Sequence, residues 1–546
     1  MSKFYITTAI DYANGEPHLG HAVEKIGADV IARYRRSIGD DVWFVIGMDE
    51  HGQKVQREAE SRGRDPQEWV DSIAKSFERA WGRLGISHDD FIRTSQERHR
   101  RGVRELMRQI GSAGRFRKAR YSGHYCAGCE AFKKPEELEG GRCPLHPTRE
   151  IEWTEEENWF FELSAYRAEL QRRLRDNPDL IRPESRRNEI LRLLEQGLED
   201  ISASRSRISW GIPFPGDDDH TVYVWFDALA NYITAVGYPD GDRLDEWWPA
   251  DLHVIGKDIT RFHCVYWPAM LLAAGVEPPL AVWGHGFINV GGAKLSKSAG
   301  TSLDLDELTD RHGAEALRFF LLSEVPWDGD RGFASAEEFI TQFDRRYTSD
   351  LANDLGNLLN RVVSMVARYR KGIRLGSLCS PGSGGASQGP LSAATAGRLA
   401  AYREHMSGLL LHRAIGAAMG LVRDANTFVD SAKPWELAKA ERGGADPADL
   451  DAVLGQLAEA LGTLAAMLTP VMPGKAEQMW SSLGGSAPSP PALAGLASAI
   501  GDLGPAEPGP VLFPRDLVSG AHHPEPSVRS VDEPGGDAAR SADGGV

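Results

Sequence analysis

The stretch FYITTAIDYANGEPHLGHAVEKIGADVIARYRRS, residues 4–37, decides the fold of this chain. Residues 4–10 form an apolar run typical of a buried strand, and residues 22–37 have the apolar spacing of a helix. His18 and His21 stand where the predicted helix begins. A helix N-terminus attracts phosphate, because its free backbone N–H groups and its dipole both favour an anion. The stretch therefore suits a nucleotide-binding fold with a phosphate site at the two histidines, although without a second motif an ordinary strand–helix loop with two surface histidines would be the favoured interpretation.

A second short motif, Lys294-Leu295-Ser296-Lys297-Ser298, lies in the second half of the chain. Two lysines and two hydroxyls suit the binding of a polyphosphate leaving group. Flanking glycines indicate a loop that closes on its substrate. The sequence contains neither a P-loop pattern nor a GxGxxG fingerprint, so it favours neither a Walker-type NTPase nor a dinucleotide enzyme. Taken alone, a short Lys/Ser motif of this kind is more often part of a basic surface loop.

Strand-like and helix-like segments alternate from the N-terminus, which predicts a parallel α/β sheet. Further strands are predicted at residues 42–47, 221–226, 252–256 and 281–289, and further helices at 67–84 and 263–274. The predicted divisions are the first half of a nucleotide-binding domain at 1–118, an insertion at 119–215, the second half at 216–293, a loop and contact region at 294–350, an α-helical domain at 351–516 and a disordered tail at 517–546.

Composition is that of a soluble globular protein of 546 residues with a net charge of −16. No apolar run reaches the ~18 residues of a membrane span, and the N-terminus lacks the pattern of a signal peptide. A cytoplasmic location is expected. The acidic balance argues against a nucleic-acid partner, but residues 98–120 hold nine Arg or Lys and one acid. RNA contact and a solvated helix face both remain open for this basic segment.

Three of the five cysteines fall in a metal-binding pattern. Cys126 and Cys129 form one pair, and Cys143 with His146 forms a second pair of the same spacing. Three thiolates and one imidazole suit tetrahedral zinc, and four protein ligands leave no open position. The pattern therefore predicts a structural zinc inside the insertion, which is too polar to fold around a large core of its own.

The two cationic motifs together resemble the HIGH and KMSKS elements of class I aminoacyl-tRNA synthetases. Residues 5–21 resemble methionyl-tRNA synthetases in particular, as do four shorter motifs. These are MDEHG at 48–52, YVWFDA at 223–228, IGKD at 255–258 and KPW at 433–435. The resemblance implies a Rossmann-like parallel sheet split by a zinc-binding insertion and followed by an all-α anticodon-binding domain. It also implies ATP-dependent ligation of L-methionine to tRNA(Met), with Mg²⁺ accompanying ATP.

The resemblance assigns a role to each matching residue. The catalytic set is His18, His21, Lys294 and Lys297. ATP binding is expected from Asn14, Gly20, Lys294, Ser296, Lys297 and Ser298. The methionine site is expected from Ile10, Tyr12, Asp49, Trp225, Ala228, Leu229, Tyr232, Ile259 and His263, with Asp49 holding the α-ammonium. The anticodon is expected to meet Asn357, Arg361 and Trp435. A C-terminal dimerisation module is not recognised, so a monomer is expected.

Two departures and two alternatives accompany this interpretation. Asp11 stands where the family usually has Pro or Tyr, and a carboxylate there could disturb the substrate site; Leu295 replaces the usual Met. One alternative is a ligase that passes the activated amino acid to a small amine or thiol. The other is a non-catalytic RNA-binding protein that keeps the fold. Without the resemblance, Trp225 and Tyr232 would be read as core residues, and Trp435 as the filler of a helix junction.

Overall fold

The structure is a computed structural model of the chain. It describes residues 2–515 except 127–130, 134, 145–149, 207, 292, 295–302, 380–388, 487–489 and 491. The predicted disordered tail at 517–546 lies outside the described residues, as do Cys129, His146, Ser296, Lys297 and Ser298.

A seven-stranded parallel sheet forms the centre of the N-terminal half. Its strands lie in the order Asp11–Tyr12, Asp41–Asp49, Lys3–Thr8, Leu252–Gly256, Val282–His285 and Ile181–Arg182, and Asp90–Arg93 also pairs with Asp41–Asp49. The first strand, Lys3–Thr8, pairs with Asp41–Asp49 on one side and with Leu252–Gly256, which is distant in the sequence, on the other. This reversal of strand order creates the crevice at the carboxyl ends of the strands in which α/β proteins bind ligands. The predicted parallel α/β sheet is confirmed.

Helices cover both faces of this sheet. They are Leu19–Ser37, Gln53–Ser61, Pro66–Arg83, Glu97–Ser112, Val224–Leu229, Asn231–Thr234, Arg243–Trp247, Phe262–Tyr266 and Trp267–Ala273. Leu19–Ser37 is buried along most of its length, because it packs on the sheet and also contacts the helix Ala314–Glu324. Its burial on both sides explains why its sequence is apolar beyond one face.

The region after residue 115 forms two antiparallel sheets. One contains Ala131–Lys133, Phe116–Cys126, Glu152–Phe161 and Ile201–Ser202, and the other contains Ser204–Arg205, Asp217–Val222 and Pro213–Phe214. Two helices, Arg167–Asp176 and Glu184–Gln196, and three single turns, Pro135–Glu137, Leu163–Tyr166 and Pro178–Leu180, accompany them. The strand predicted at 221–226 is wrong: Asp217–Val222 belongs to the small antiparallel sheet, and Val224–Leu229 is a helix. Ile181–Arg182, inside the range predicted as the insertion, lies in the parallel sheet.

A small sheet and two helices lead to the C-terminal half. The sheet contains Ala293–Lys294, Ile288–Val290 and Arg331–Phe333, and the helices are Leu305–His312 and Ala314–Glu324. The helices that follow are Ala336–Arg346, Tyr347–Gly356, Asn357–Tyr369, Leu375–Cys379, Pro390–Ser407, Leu411–Ala432, Pro434–Arg442, Pro447–Leu468, Pro473–Ser482 and Leu496–Gly501. The predicted α-helical C-terminal region is confirmed.

Among the described residues, Pro447–Leu468 is the one helix that is long and apolar enough to cross a membrane by length and composition. Its most apolar window is 78% buried inside the protein. The helix packs against Pro390–Ser407, Leu411–Ala432 and Pro473–Ser482. It is therefore the central helix of the α-helical domain, surrounded by protein along most of its length.

One buried guanidinium joins the two halves of the molecule. Arg318 Nη2 donates to Asp29 Oδ2 at 2.6 Å and to the Pro470 carbonyl at 2.9 Å, and Nε donates to the Val471 carbonyl at 2.7 Å. Both charged side chains are at most 1% exposed. Burial alone would raise the pKa of Asp29, but Arg318, Arg33 and Ser87 outweigh it and hold the pKa below its usual range. The helix that follows His18 is thus fixed to the end of the central C-terminal helix.

Replacing Arg318 tests this junction. In Arg318→Met the Asp29 carboxylate stays buried without its main counter-charge, so we expect the free energy of unfolding to fall by about 3–5 kcal/mol. The matched control is Arg172→Met, which removes an exposed pair with Glu169 and should leave the free energy of unfolding almost unchanged. Urea denaturation followed by tryptophan fluorescence measures both. Equal losses of stability in the two variants would contradict the expectation that the buried Asp29–Arg318 pair stabilises the protein more than an exposed pair does.

Candidate active site

His18 and His21 form a compact pair at the first turn of the helix Leu19–Ser37. His18 is the N-cap: its Nδ1 accepts from the Gly20 N–H at 3.1 Å, and His21 Nδ1 accepts from the His18 N–H at 3.3 Å. The two rings stack with centroids 3.7 Å apart. A Cβ at Gly20 would lie 3.0 Å from the His18 ring, so glycine is what the stack requires. Asn14, in the preceding turn, donates its N–H to the Tyr12 carbonyl at 2.8 Å.

The strand that precedes the second motif contacts the helix that carries this pair. Lys294 pairs with Asn289 through the backbone of the small sheet that follows the parallel strand Val282–His285. His285, the last residue of that strand, contacts Glu24 of the histidine-bearing helix at 3.2 Å between Nε2 and Oε2. The chain is thus tied to the His18–His21 helix nine residues before Lys294. The side chains of Lys294 to Ser298 lie outside the described residues, so their meeting with the histidines stays a prediction.

The residues predicted to bind methionine lie at the carboxyl edge of the parallel sheet. Tyr12 and Asp49 are direct neighbours in adjacent parallel strands. Trp225 stacks on Phe262 with ring centroids 3.7 Å apart. Phe262 had not been predicted as a site residue, although it adjoins His263 in the sequence. Four of the predicted residues are half-buried: Ile10, Tyr12, Trp225 and Ile259. Four others are buried: Ala228, Leu229, Tyr232 and His263.

His263 is held as a neutral imidazole. Burial lowers its pKa to about 4. Its Nδ1 lies 3.0 Å from the Ile259 carbonyl, which can only accept, so Nδ1 carries the proton. Nε2 then accepts from the Tyr232 hydroxyl at 2.7 Å. Burial also raises the pKa of Tyr232, so that hydroxyl keeps its proton. The pair presents polar atoms without a net charge, as a site for a thioether side chain needs.

Asp11 lies in a buried cluster of charges behind the site. Lys25 Nζ donates to Asp11 Oδ1 and to Glu24 Oε1, both at 2.9 Å, and to the Ala9 carbonyl at 2.8 Å. The Asp11 carboxylate is therefore paired with the buried Lys25 ammonium. Asp11 and Tyr12 are consecutive in the strand, so their side chains point to opposite faces, and Tyr12 lies beside Asp49. Burial raises the pKa of Asp11 and Lys25 lowers it, with a net value of about 7. The sequence alone had not indicated this partner.

The three residues predicted to meet an anticodon lie near one another in the helical domain. Asn357 and Arg361 are one turn apart on the helix Asn357–Tyr369. Arg361 Nη2 lies 2.9 Å from Asp430 Oδ1, near the end of the helix Leu411–Ala432. Lys433 then takes a left-handed conformation with φ of +46°, and Trp435 follows in the next helix with 42% of its surface exposed. An indole this exposed presents a face for stacking and does not serve as the filler of a junction.

The basic segment at 98–120 is neutralised by acidic neighbours. Eight of its nine basic side chains have a carboxylate within 4 Å. Arg98 with Asp90 and Arg117 with Asp200 are examples that link different elements. The structure therefore favours the solvated, ion-paired face over an RNA contact for this segment.

Two of the four predicted zinc ligands fall within the described residues. Cys126 ends the strand Phe116–Cys126, opposite Ala131, and Cys143 follows the bridge between Glu139 and Arg142. Both cysteines are almost fully buried in a small, polar region. Within the described residues, which lack Cys129 and His146, no three His, Cys, Asp or Glu side chains are grouped to hold a metal. Zinc therefore stays a prediction that the burial of the two thiols fits.

Comparison with known proteins agrees with this geometry. The sequence profile described as tRNA synthetases class I (M) matches residues 4–152 and 134–363. A Nostoc sp. methionine–tRNA ligase is 41% identical over 88% of this chain and 90% of its own length. The corresponding figures for the Streptomyces coelicolor enzyme are 40%, 90% and 91%. The solved Mycobacterium tuberculosis methionyl-tRNA synthetase in complex with methionyl-adenylate superposes with a TM-score of 0.85 at 38% identity, covering 94% of this chain and 100% of that one.

The fold, the site and these matches define a class I aminoacyl-tRNA synthetase. Within that class, the chain belongs to the methionyl-tRNA synthetase family. The function predicted from the sequence, an ATP-dependent methionine–tRNA ligase, is confirmed.

The stability of the protein is expected to depend on pH through Asp11. The pKa of Asp11 in the folded protein, about 7, exceeds the ordinary value of 3.8. The contribution of this group to stability is therefore complete below about pH 4 and is lost as the pH rises through 7. We expect the stability of the natural protein relative to Asp11→Asn to fall between about pH 5 and 7, by at most about 1.4 kcal/mol per pH unit. Thermal unfolding of both proteins across this range measures the difference. Parallel stability curves would contradict the expectation.

Proposed function

We propose that the carboxyl edge of the parallel sheet joins methionine to AMP, and that the α-helical domain selects tRNA(Met) for the second step. The observation that carries this proposal is the His18–His21 stack at a helix N-terminus, in the crevice where the strand order reverses. In the first step, the methionine carboxylate attacks the α-phosphate of ATP and pyrophosphate leaves. In the second step, the methionyl group passes to the 3′-terminal adenosine of the tRNA.

Charge stabilisation is the task of the two cationic motifs. The transition state spreads negative charge over the phosphoryl oxygens, so fixed donors and dipoles lower its energy. His18 and His21 bind the phosphates at the positive end of their helix dipole, and Gly20 leaves the backbone accessible. Lys294 and Lys297, with Ser296 and Ser298, bind the departing pyrophosphate. Mg²⁺, which accompanies ATP, would neutralise part of the charge on its phosphates.

The methionine site combines one charge with an apolar surround. The Asp49 carboxylate binds the α-ammonium beside Tyr12. The thioether lies against Trp225 and near the neutral Tyr232–His263 pair. Because sulfur is polarizable and weakly polar, aromatic faces and an uncharged hydroxyl suit it better than an ion. Ile10, Ala228, Leu229 and Ile259 supply the remaining apolar wall.

The anticodon site consists of Asn357, Arg361 and Trp435. The amide and the guanidinium project from one helix, and both can form hydrogen bonds to base edges. The exposed Trp435 indole stacks on an unpaired base. Arg361 must leave Asp430 or share its donors when RNA binds. This exchange costs little, because the Asp430 side chain is well exposed.

Replacing Trp435 separates the two steps. In Trp435→Ala we expect kcat/KM for charging of tRNA(Met) to fall by roughly 5- to 150-fold, as loss of a base stack worth about 1–3 kcal/mol requires. Methionine-dependent exchange of pyrophosphate into ATP should be unchanged, because the site of activation is remote. The matched control is Trp153→Ala, an indole with 66% exposure outside the helical domain, which should alter neither rate. Absence of exchange in the natural protein would refute the proposed activity, and unchanged charging in Trp435→Ala would refute the anticodon site.

The accessory properties belong to the same proposal. A structural zinc held by Cys126, Cys129, Cys143 and His146 stabilises the insertion. The protein acts as a monomer in the cytoplasm, where tRNA is charged. Zinc here needs no catalytic role, because four protein ligands leave no position for substrate.

Metal analysis tests the zinc site. We expect one zinc per chain in the natural protein and a large loss in Cys143→Ser, because a hydroxyl is a much poorer zinc ligand than a thiolate. The control is Cys379→Ser, whose thiol contacts the Gly455 carbonyl and which should keep its zinc. Atomic absorption after gel filtration measures the content. Zinc-free natural protein prepared with zinc present would rule the site out.

A further inference from the structure

His51 is a buried histidine that has no role in the methionine and ATP sites proposed above. It belongs to the MDEHG motif, two residues after Asp49, at the carboxyl edge of the parallel sheet. Only 2% of its surface is exposed. Its ring contacts the Trp210 ring edge-on, with centroids 5.5 Å apart. Its burial calls for a partner at each ring nitrogen.

One nitrogen of His51 has a strong partner. Asp227 bridges two imidazoles: Oδ2 lies 2.6 Å from His51 Nδ1, and Oδ1 lies 2.8 Å from His99 Nε2. His99 continues the chain through Nδ1 to the Thr234 hydroxyl at 2.8 Å. Burial opposes the ionisation of Asp227, but the two imidazoles outweigh it and hold its pKa well below the usual range. The ionised carboxylate can only accept, so His51 carries a proton on Nδ1.

The other nitrogen points to a missing ligand. No residue that the structure describes forms a hydrogen bond with His51 Nε2, although the atom is buried. An imidazole whose single proton lies on Nδ1 bears a lone pair on Nε2, and that nitrogen is then an acceptor. A buried acceptor without a donor is costly, so such an atom is expected to be satisfied when a ligand binds.

The position of His51 indicates which ligand this is. His51 follows Asp49 by two residues, just after the end of one strand, and its ring bonds Asp227 on the helix Val224–Leu229. The same strand end and the same helix supply Asp49, Trp225 and Ala228 to the proposed methionine site. An α-ammonium has three N–H donors that diverge, and one carboxylate cannot accept all of them in good geometry.

We infer that His51 Nε2 accepts a hydrogen bond from the α-ammonium of the amino-acid substrate, beside the Asp49 carboxylate. Asp227 acts as a positioning residue that fixes the tautomer, and His99 with Thr234 holds Asp227 in place. His51 thereby selects for a free amino group. This inference rests on the proposed methionine site and adds a determinant of specificity to it.

Two adenylate esters isolate the contact with the amino group. One is the ester of AMP with methioninol, and the other is the ester of AMP with 4-(methylthio)butanol, which differs only in lacking the amine. Because both keep the AMP portion, both should bind tightly enough to measure by calorimetry. The variant His51→Asn keeps a short amide that can face Asp227 but has no atom at the place of Nε2. The comparison is a double-mutant cycle between one side chain and one ligand group.

We expect His51→Asn to bind the amine-bearing ester about 10- to 100-fold more weakly and the amine-free ester within twofold of the natural protein. His51→Gln, whose amide oxygen reaches nearer the place of Nε2, should recover part of the loss. Equal weakening of both esters would show a structural role, and no weakening of either would show no contact. Weakening of the amine-free ester alone would place His51 elsewhere. Each of these outcomes overturns the inference.

A second measurement uses the natural protein, in case the variants do not fold. With ¹⁵N-labelled histidine, the His51 Nε2 resonance should shift upfield when the amine-bearing ester binds, as an acceptor nitrogen does, and should stay in place with the amine-free ester. Identical shifts with the two esters would overturn the inference. Methionine-dependent pyrophosphate exchange is run in parallel. Exchange without amine-dependent behaviour at His51 refutes this inference alone, whereas absence of exchange refutes the proposed function.

Discussion

The ion pair of Asp29 and Arg318 is the constraint on which the arrangement of this molecule depends. Asp29 lies on the helix that begins at the stacked histidines, and Arg318 reaches the carbonyls of Pro470 and Val471 beyond the central C-terminal helix. A guanidinium removed from water needs its donors satisfied, and here four oxygens from three parts of the chain satisfy it. The histidine helix therefore cannot move relative to the helical domain without breaking a buried network.

A second buried network performs the same task about one turn nearer the start of that helix. Lys25 holds Asp11 and Glu24, and Glu24 contacts His285 of the strand that precedes the lysine motif. The strand end at residues 9–12 is thus fixed to the helix by an ammonium that also binds the Ala9 carbonyl. In the proposed site both substrates meet at this strand end. The buried network would fix the strand end that positions them, as precise in-line attack requires.

The sequence predicted the elements whose local and tertiary preferences agree. The strand predicted at 252–256 is observed as Leu252–Gly256, because five residues are too few for an ordinary helix and all five are buried in the parallel sheet. The run TVYVWF at 221–226 failed, because its β-branched and aromatic residues also suit a buried helix and packing decided between the two. Short edge strands such as Ile181–Arg182 have too few residues to show a period.

The site was predictable where its chemistry is local in sequence. The HIGH-like histidines cap their own helix, so both the element and the phosphate site follow from four consecutive residues. The partners of Asp11 and of His51 were not predictable, because Lys25 and Asp227 reach them only through the folded sheet and no spacing rule connects them. For the basic segment at 98–120, charge along the sequence was misleading: its acidic partners come from elements as distant as Asp200, Asp217 and Asp240.

The pairing of these arginines with carboxylates affects how strongly the protein attracts nucleic acids other than its substrate. A protein with a net charge of −16, whose arginine-rich helix already has its counter-ions built in, exerts little long-range attraction on a phosphate backbone. Nonspecific binding of other RNAs is expected to be correspondingly weak, because such binding is mainly electrostatic. Recognition must then come from shape and from exposed bases, and only an RNA that offers both gains enough to stay.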